Sequence, residues 1–240
     1  MIRRSTTPAA SVVTQRRARQ RDTAREYALT ILRNVGWPGN SAAASLRSVG
    51  LTSCQSGEGV STVAAQLALA AASCGDHQVL LADANFACPR VHGRFGIELG
   101  PGLADVLLGA LTVGEAIRPS AVANLVVLPA GRPDGDSARL YDSVRLAETI
   151  EQLTQRFGLV IFDLPAMGQT SATVRLAGLL EGVVLVVEAE RVRWEAAQRA
   201  TELLRRGNAI LLGAVLNKRR AHVPDWLARW LALDRPWRCS

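Results

Sequence analysis

Ser48-Val49-Gly50-Leu51-Thr52-Ser53, followed by Cys54-Gln55-Ser56-Gly57-Glu58-Gly59-Val60-Ser61-Thr62, decides how the rest of the chain is read. Six β-rich residues run into a glycine-rich turn, and a helical pattern over 60–74 follows at once. Such a turn is a phosphate cradle: Gly lets the backbone approach an anion, and the helix N-terminus presents free N–H groups to it. Ser61 stands where a P-loop places its hydroxyl ligand for Mg²⁺. Two positions depart from the pattern G-x-x-x-x-G-K-[ST]: Cys54 replaces its first Gly and Val60 its Lys. On the loop alone, a tight turn without a ligand reads equally well.

Outward from the loop the same rhythm repeats. β-rich runs at 48–53, 78–83, 124–129, 158–163, 183–188 and 209–216 alternate with helical patterns at 60–74, 102–109, 143–156, 171–180 and 192–206. The runs are continuously apolar, as in strands buried on both faces of a parallel sheet. The fold class is therefore α/β: a doubly wound, mostly parallel sheet with helices on both faces, P-loop NTPase-like. Its ligands bind at the carboxyl ends of the strands.

Composition narrows the function classes. Forty-eight per cent apolar residues in 240 exclude a disordered or fibrous chain. The net charge of +7 points first to nucleic acid or an anionic surface, but it is unevenly placed. Residues 1–40 carry eight Arg against two acids, residues 41–214 fourteen Arg against seventeen acids, and residues 215–240 one Lys and five Arg against two acids. An acidic body with basic ends is a poor nucleic-acid binder. Cys54, Cys74, Cys88 and Cys239 show no metal-ligand or disulfide spacing. No apolar stretch is long enough to span a bilayer and no signal-peptide pattern is present, so a soluble cytoplasmic protein is expected.

Two strand ends carry carboxylates. Leu80-Leu81-Ala82-Asp83-Ala84-Asn85 can hold a metal or its water through Asp83, and Val160-Ile161-Phe162-Asp163 has the Walker-B form that supports Mg²⁺. Each Asp alone is more often a helix cap or a solvated loop residue; two of them, in order behind a Gly loop, favour chemistry. The last strand ends in Asn217-Lys218, where an amide can meet a base edge or serve a turn.

Together these pieces resemble the bacterial tyrosine kinase (BY-kinase, CpsD/CapB-like) domain of capsule and exopolysaccharide systems, within the deviant-Walker P-loop class. The likeness spans roughly 23–232. It is carried by Thr52 to Thr62, Leu80 to Pro89, and the long match Pro101-Gly102-Leu103-Ala104-Asp105-Val106-Leu107-Leu108-Gly109, which separates this family from partition ATPases. Val127 to Gly131, Ser143 to Leu146, Asp163 to Ala166 and Gly213 to Asn217 add to it. The resemblance implies ATP/ADP and Mg²⁺. Gly57, Glu58, Gly59, Val60, Ser61, Thr62 and Asn217 would face the nucleotide, Ser61, Asp83 and Asp163 the metal, and Asp83 would be the catalytic group. It also implies a transmembrane polysaccharide co-polymerase as partner, a homo-oligomer, and a peripheral place at the inner face of the plasma membrane, with the basic tails on the membrane surface. Nucleic acid is not an expected partner.

The departures fall where the chemistry lies. Val60 cannot donate to phosphate, Asn85 replaces the family's second Asp, and Ala87 replaces its Arg. In the family's E-x-x-R-x-x-R oligomer motif, Glu26 is followed by Leu29 and Leu32 at the Arg positions. Tyr27 and Tyr141 are the only tyrosines, so the C-terminal cluster that such kinases autophosphorylate is missing. These losses imply a degenerate nucleotide-binding regulator. The alternatives are an active autokinase with a variant P-loop, Arg90 or Lys218 standing in for the Lys, and a ParA/MinD-type partition ATPase. The expected organisation is a basic disordered tail over 1–22, an N-terminal helix and linker over 23–40, the α/β domain over 41–220 and an amphipathic tail over 221–240. In that last tail Trp226 and Trp230 share a helical face, which suits either docking on the body or a membrane surface.

Overall fold

A computed structural model describes residues 9–38, 46–75, 77–132, 138–141, 144–168 and 171–219. Its elements alternate along the chain. Helix α1 (Ala9–Asn34) leads to β1 (Ser48–Ser53), α2 (Val60–Ala72) and β2 (Val79–Asp83). Short helices α3 (Val91–Arg94), α4 (Leu103–Leu107) and α5 (Val113–Ala116) precede β3 (Arg118–Pro119) and β4 (Leu125–Leu128). Then come α6 (Ala138–Tyr141), α7 (Arg145–Arg156), β5 (Leu159–Asp163), α8 (Ser171–Gly178), β6 (Gly182–Glu188), α9 (Trp194–Arg206) and β7 (Leu211–Asn217).

The strands form one sheet in the order β3-β4-β2-β5-β1-β6-β7. Every pairing is parallel except β3 with β4. Burial on both faces explains the continuous apolar runs of β1, β2, β5 and β6, while β7, at the sheet edge, is apolar yet largely exposed. Val183 and Leu185 of β6 point into a core shared with α4, α7, α8 and α9, while Val184 and Val186 point into a core shared with α1 and α2. Leu80 and Leu81 of β2, and Val160 and Ile161 of β5, divide in the same way.

Helix α1 corrects the expected organisation. It begins at Ala9 and runs through residue 22, where the sequence reading ended an unstructured tail. The segment lacks an apolar period but is rich in Ala, Arg and Gln, which favour helix by propensity alone. The helix closes in a Schellman turn. Gly36 takes φ +86°, its N–H donates to Arg33 O at 3.1 Å, and the Trp37 N–H donates to Leu32 O at 2.9 Å. Leu32 and Trp37 are buried in the α2 core, which joins the helix to the body. The tail over 221–240, with its tryptophans, and residues 1–8 lie outside the described residues.

The long family-like match turns out to be architectural. Leu103 N–H and Ala104 N–H donate to Pro129 O and Ala130 O at 2.8 and 2.9 Å. The Asp105 carboxylate caps the start of α4 by accepting from Gly102 N–H at 2.7 Å. A Cβ on Gly102 would stand 2.1 Å from Pro129 O, so only glycine lets the two segments lie this close. The segments Pro101–Gly109 and Val127–Gly131 are thus two halves of one joint.

Candidate functional site

The carboxyl ends of β1, β2, β5, β6 and β7 converge on the glycine loop, as the fold dictates. Ser53 and Val186 are register partners, as are Asp83 and Asp163, and Glu188 and Asn217. The loop turns on two left-handed glycines, Gly57 at φ +89° and Gly59 at φ +96°. Gly59 caps α2, and its carbonyl accepts the N–H groups of Thr62 and Val63 at 3.0 and 3.1 Å.

Glu58 is the keystone of the loop. Its side chain points inward and is fully buried. Oε1 accepts from Gln55 N–H at 2.6 Å and Oε2 from Glu188 N–H at 3.2 Å. Burial pushes its carboxyl above the ordinary value, against the pull of those N–H groups. Asn217 is likewise occupied: its Nδ2 donates to Glu58 O at 2.8 Å, so the side chain expected at a base edge anchors the loop to β7. Both roles are long-range ties, which explains why position along the chain did not disclose them. Lys218 adds a third tie, its Nζ donating to Gly57 O at 2.6 Å and to Glu188 Oε2 at 3.0 Å. Cys54, at the first glycine of the general P-loop pattern, is buried, and burial pushes its thiol up to about 11.

The two aspartates differ sharply. Asp83 is fully buried and already satisfied: Oδ1 accepts from Asn85 N–H at 3.1 Å, and Oδ2 from Arg90 and Val91 N–H at 2.9 and 3.0 Å. It shapes the turn into α3, the cap-like role that its sequence context also allowed. Burial nonetheless raises its carboxyl above the usual range. Asp163 is equally buried, yet neither carboxylate oxygen has a hydrogen-bond partner. Desolvation and the charge of Asp83 push it up to about 7; the Ser61 hydroxyl, which approaches it without completing a hydrogen bond, and the charge of Arg94 pull the other way. An unpaired buried carboxylate costs heavily unless a cation or proton meets it.

A pocket of about 320 Å³ opens at the glycine loop; Glu58, Asp83, Asp163 and Asn217 do not line it. Gly57, Gly59, Val60, Ser61 and Thr62 form its floor, and Arg90, Arg94 and Lys218 are among the residues around it. It brings together the glycine loop and the Ser61 hydroxyl expected from the sequence, beside Asp163. Val60 faces it without charge and packs into the α2 core. Arg94 was not legible in the sequence; its one signal is its place on the short helix after Pro89, four residues beyond Arg90.

The arrangement fits a nucleoside polyphosphate with Mg²⁺. Backbone N–H groups at the α2 start suit the phosphates, and the orphaned Asp163 oxygens suit a hydrated cation beside Ser61. No cluster of three or more His, Cys, Asp or Glu among the described residues could hold a metal by itself. Phosphate oxygens and water would complete the shell, as is usual for Mg²⁺.

Comparisons with known proteins agree with this geometry. Residues 46–208 match the family model described as cellulose biosynthesis protein BcsQ. The chain is similar to the tyrosine-protein kinase YwqD of Bacillus subtilis, 34% identical over 175 residues, 73% of each chain. Among solved structures, the VpsO kinase domain is 26% identical with a TM-score of 0.75, over 85% of this chain and 98% of that one. The septum site-determining protein MinD of Pyrococcus horikoshii, complexed with Mg-ADP, is 24% identical with a TM-score of 0.63, over 77% and 76% of the two chains, and shares the fold.

Proposed function

The chain belongs to the cellulose-biosynthesis BcsQ family and to the bacterial tyrosine-kinase (BY-kinase) family, and from that membership we propose a nucleotide-binding regulator of exopolysaccharide or capsule polymerisation and export that is a poor kinase. One observation carries the reading. The phosphate cradle and the unpaired Asp163 are kept, while the loop's own cation is replaced by Val60. Phosphoryl transfer is mostly positioning and charge stabilisation, and losing one preorganised donor typically costs about 10²–10³ in rate. The partner is a transmembrane polysaccharide co-polymerase, which the chain meets at the inner face of the membrane. No helix among the described residues is long and apolar enough to cross a membrane itself. A homo-oligomer would need contacts other than the family's arginines, because Leu32 stands at one such position and is buried against α2.

Titration of the full chain with ADP and ATP, with and without Mg²⁺, tests this function together with a turnover assay. Binding with little hydrolysis is expected. Robust Mg²⁺-dependent hydrolysis or self-phosphorylation, abolished by Asp163→Asn, would replace the regulator with an active kinase. A specific observation tells where that second reading would act. Tyr141 is buried and its hydroxyl donates to Ala84 O at 2.7 Å, whereas Tyr27 is 68% exposed. Phosphotyrosine on this chain would therefore sit at Tyr27 and vanish in Tyr27→Phe.

A further inference from the structure

We propose that Lys218 and Arg94 supply, from outside the glycine loop, the positive charge for a di- or triphosphate that Val60 cannot. The proposal rests on the nucleotide-binding reading above and names the groups that hold the phosphates.

Lys218 is the only lysine in the chain. It follows β7 in the left-handed conformation, φ +56°, and its side chain crosses to the loop, where Nζ reaches Gly57 O at 2.6 Å. The ammonium therefore sits at the rim of the pocket that the glycine loop floors. Glu188 does not cancel it. That carboxylate is shared between Lys218 at 3.0 Å and Arg191 at 2.9 Å, so two cations surround one anion. The bonds from both hold Glu188 below the ordinary carboxylate range, so it stays an anion and the pair of cations stays in excess.

Arg94 approaches from α3. Its Nη2 donates to the Thr62 hydroxyl at 2.5 Å, a neutral partner on the first turn of α2. Its charge also lowers the carboxyl of Asp163. A guanidinium in this position can bind phosphate oxygens in a planar fork while Thr62 orients it. Arg90 also lines the pocket, but its Nε is turned to Cys88 Sγ at 3.4 Å, and its backbone N–H is held by Asp83. The clamp is therefore Lys218 with Arg94, one cation from the end of β7 and one from α3, both bonded to the loop–helix unit that carries the phosphate N–H groups.

The test is equilibrium binding of ADP, of inorganic pyrophosphate and of adenosine to the full chain and its variants, each checked for an unchanged melting profile. Lys218→Ala and Arg94→Ala should each weaken ADP and pyrophosphate binding about tenfold, the scale of one charge-assisted hydrogen bond. Adenosine binding should not move. Lys218→Gln separates charge from scaffolding, since its amide can still donate to Gly57 O. It should bind pyrophosphate as weakly as the alanine variant, and wild-type affinity in Lys218→Gln would reduce Lys218 to a structural tie and overturn the clamp. Val60→Lys placed in the Lys218→Ala background should recover most of the loss. Variants that bind ADP within about twofold of the wild type overturn the clamp alone. A wild-type chain that binds neither ADP nor pyrophosphate overturns the nucleotide reading and the clamp together.

Discussion

A methyl group at position 59 would stand 2.4 Å from Asn217 Nδ2, at a backbone angle of φ +96° that side chains rarely adopt. Gly59→Ala must therefore push away the amide that ties the loop to β7. A loss of about 1–3 kcal/mol is expected, with weaker ADP binding, whereas Gly75→Ala, with open space around it, should stay within about 0.5 kcal/mol. Thermal denaturation of both variants checks the contrast. Asp163 gives the second prediction at this scale. Its folded carboxyl lies near 7 against 3.8 for the free group. The folded state thus binds the extra proton, and stability from this group is full below 3.8 and is lost as pH rises through about 7. Metal-free Asp163→Asn should be more stable than the wild type at pH 8, by about 1–3 kcal/mol, with the gap closing as pH falls toward 4. Melting curves across that range decide it, and a wild type that gains stability from pH 5 to 8 relative to the variant contradicts it.

Where the family places its second oligomer arginine, this chain has Leu32, and α1 turns that position into the α2 core beside Ala28 and Trp37. Leu32→Arg would drive a charge into an apolar seam, where it would lose its hydration without gaining a partner. The C-terminal part of α1 should detach, at a cost of about 2–5 kcal/mol for the lost burial, and protease should then cut within α1. Unchanged protection of α1 in the variant would show that the seam is not what holds it. The same helix marks how much the chain disclosed. β1 was readable as Ser48–Ser53 to the residue, and the other long strands to within two, because each is a continuous apolar run. Burial on both faces accounts for β1, β2 and β5, while β7 is apolar yet largely exposed at the sheet edge. α3, α5 and β3 were not readable, since two to four residues carry no period. At the site, the glycine loop and the two aspartates were legible as a pattern. The inward turn of Glu58 and the use of Asn217 as an anchor were not, because each depends on partners more than a hundred residues away.

Across the whole molecule, the positive charge is concentrated at the two ends of the chain. The body between 41 and 214 is acidic in balance, while residues 1–40 and 215–240 hold the excess of arginine. α1 lies in the first of these segments, and β7 runs into the second, which includes Asn217 and Lys218. An anionic surface would therefore meet the ends of the chain first. The full chain should bind vesicles containing phosphatidylserine and leave neutral phosphatidylcholine vesicles alone, with binding that fades as salt rises. Replacing Arg16, Arg17, Arg19 and Arg21 by Gln should weaken it by up to about 1 kcal/mol per residue, leaving ADP affinity unchanged. Replacing Trp226, Trp230 and Trp237 by Ala isolates the apolar contribution: it should reduce binding at high salt more than at low salt. Binding to duplex DNA with an equally steep salt dependence, and none to the vesicles, would instead return the basic ends to nucleic acid.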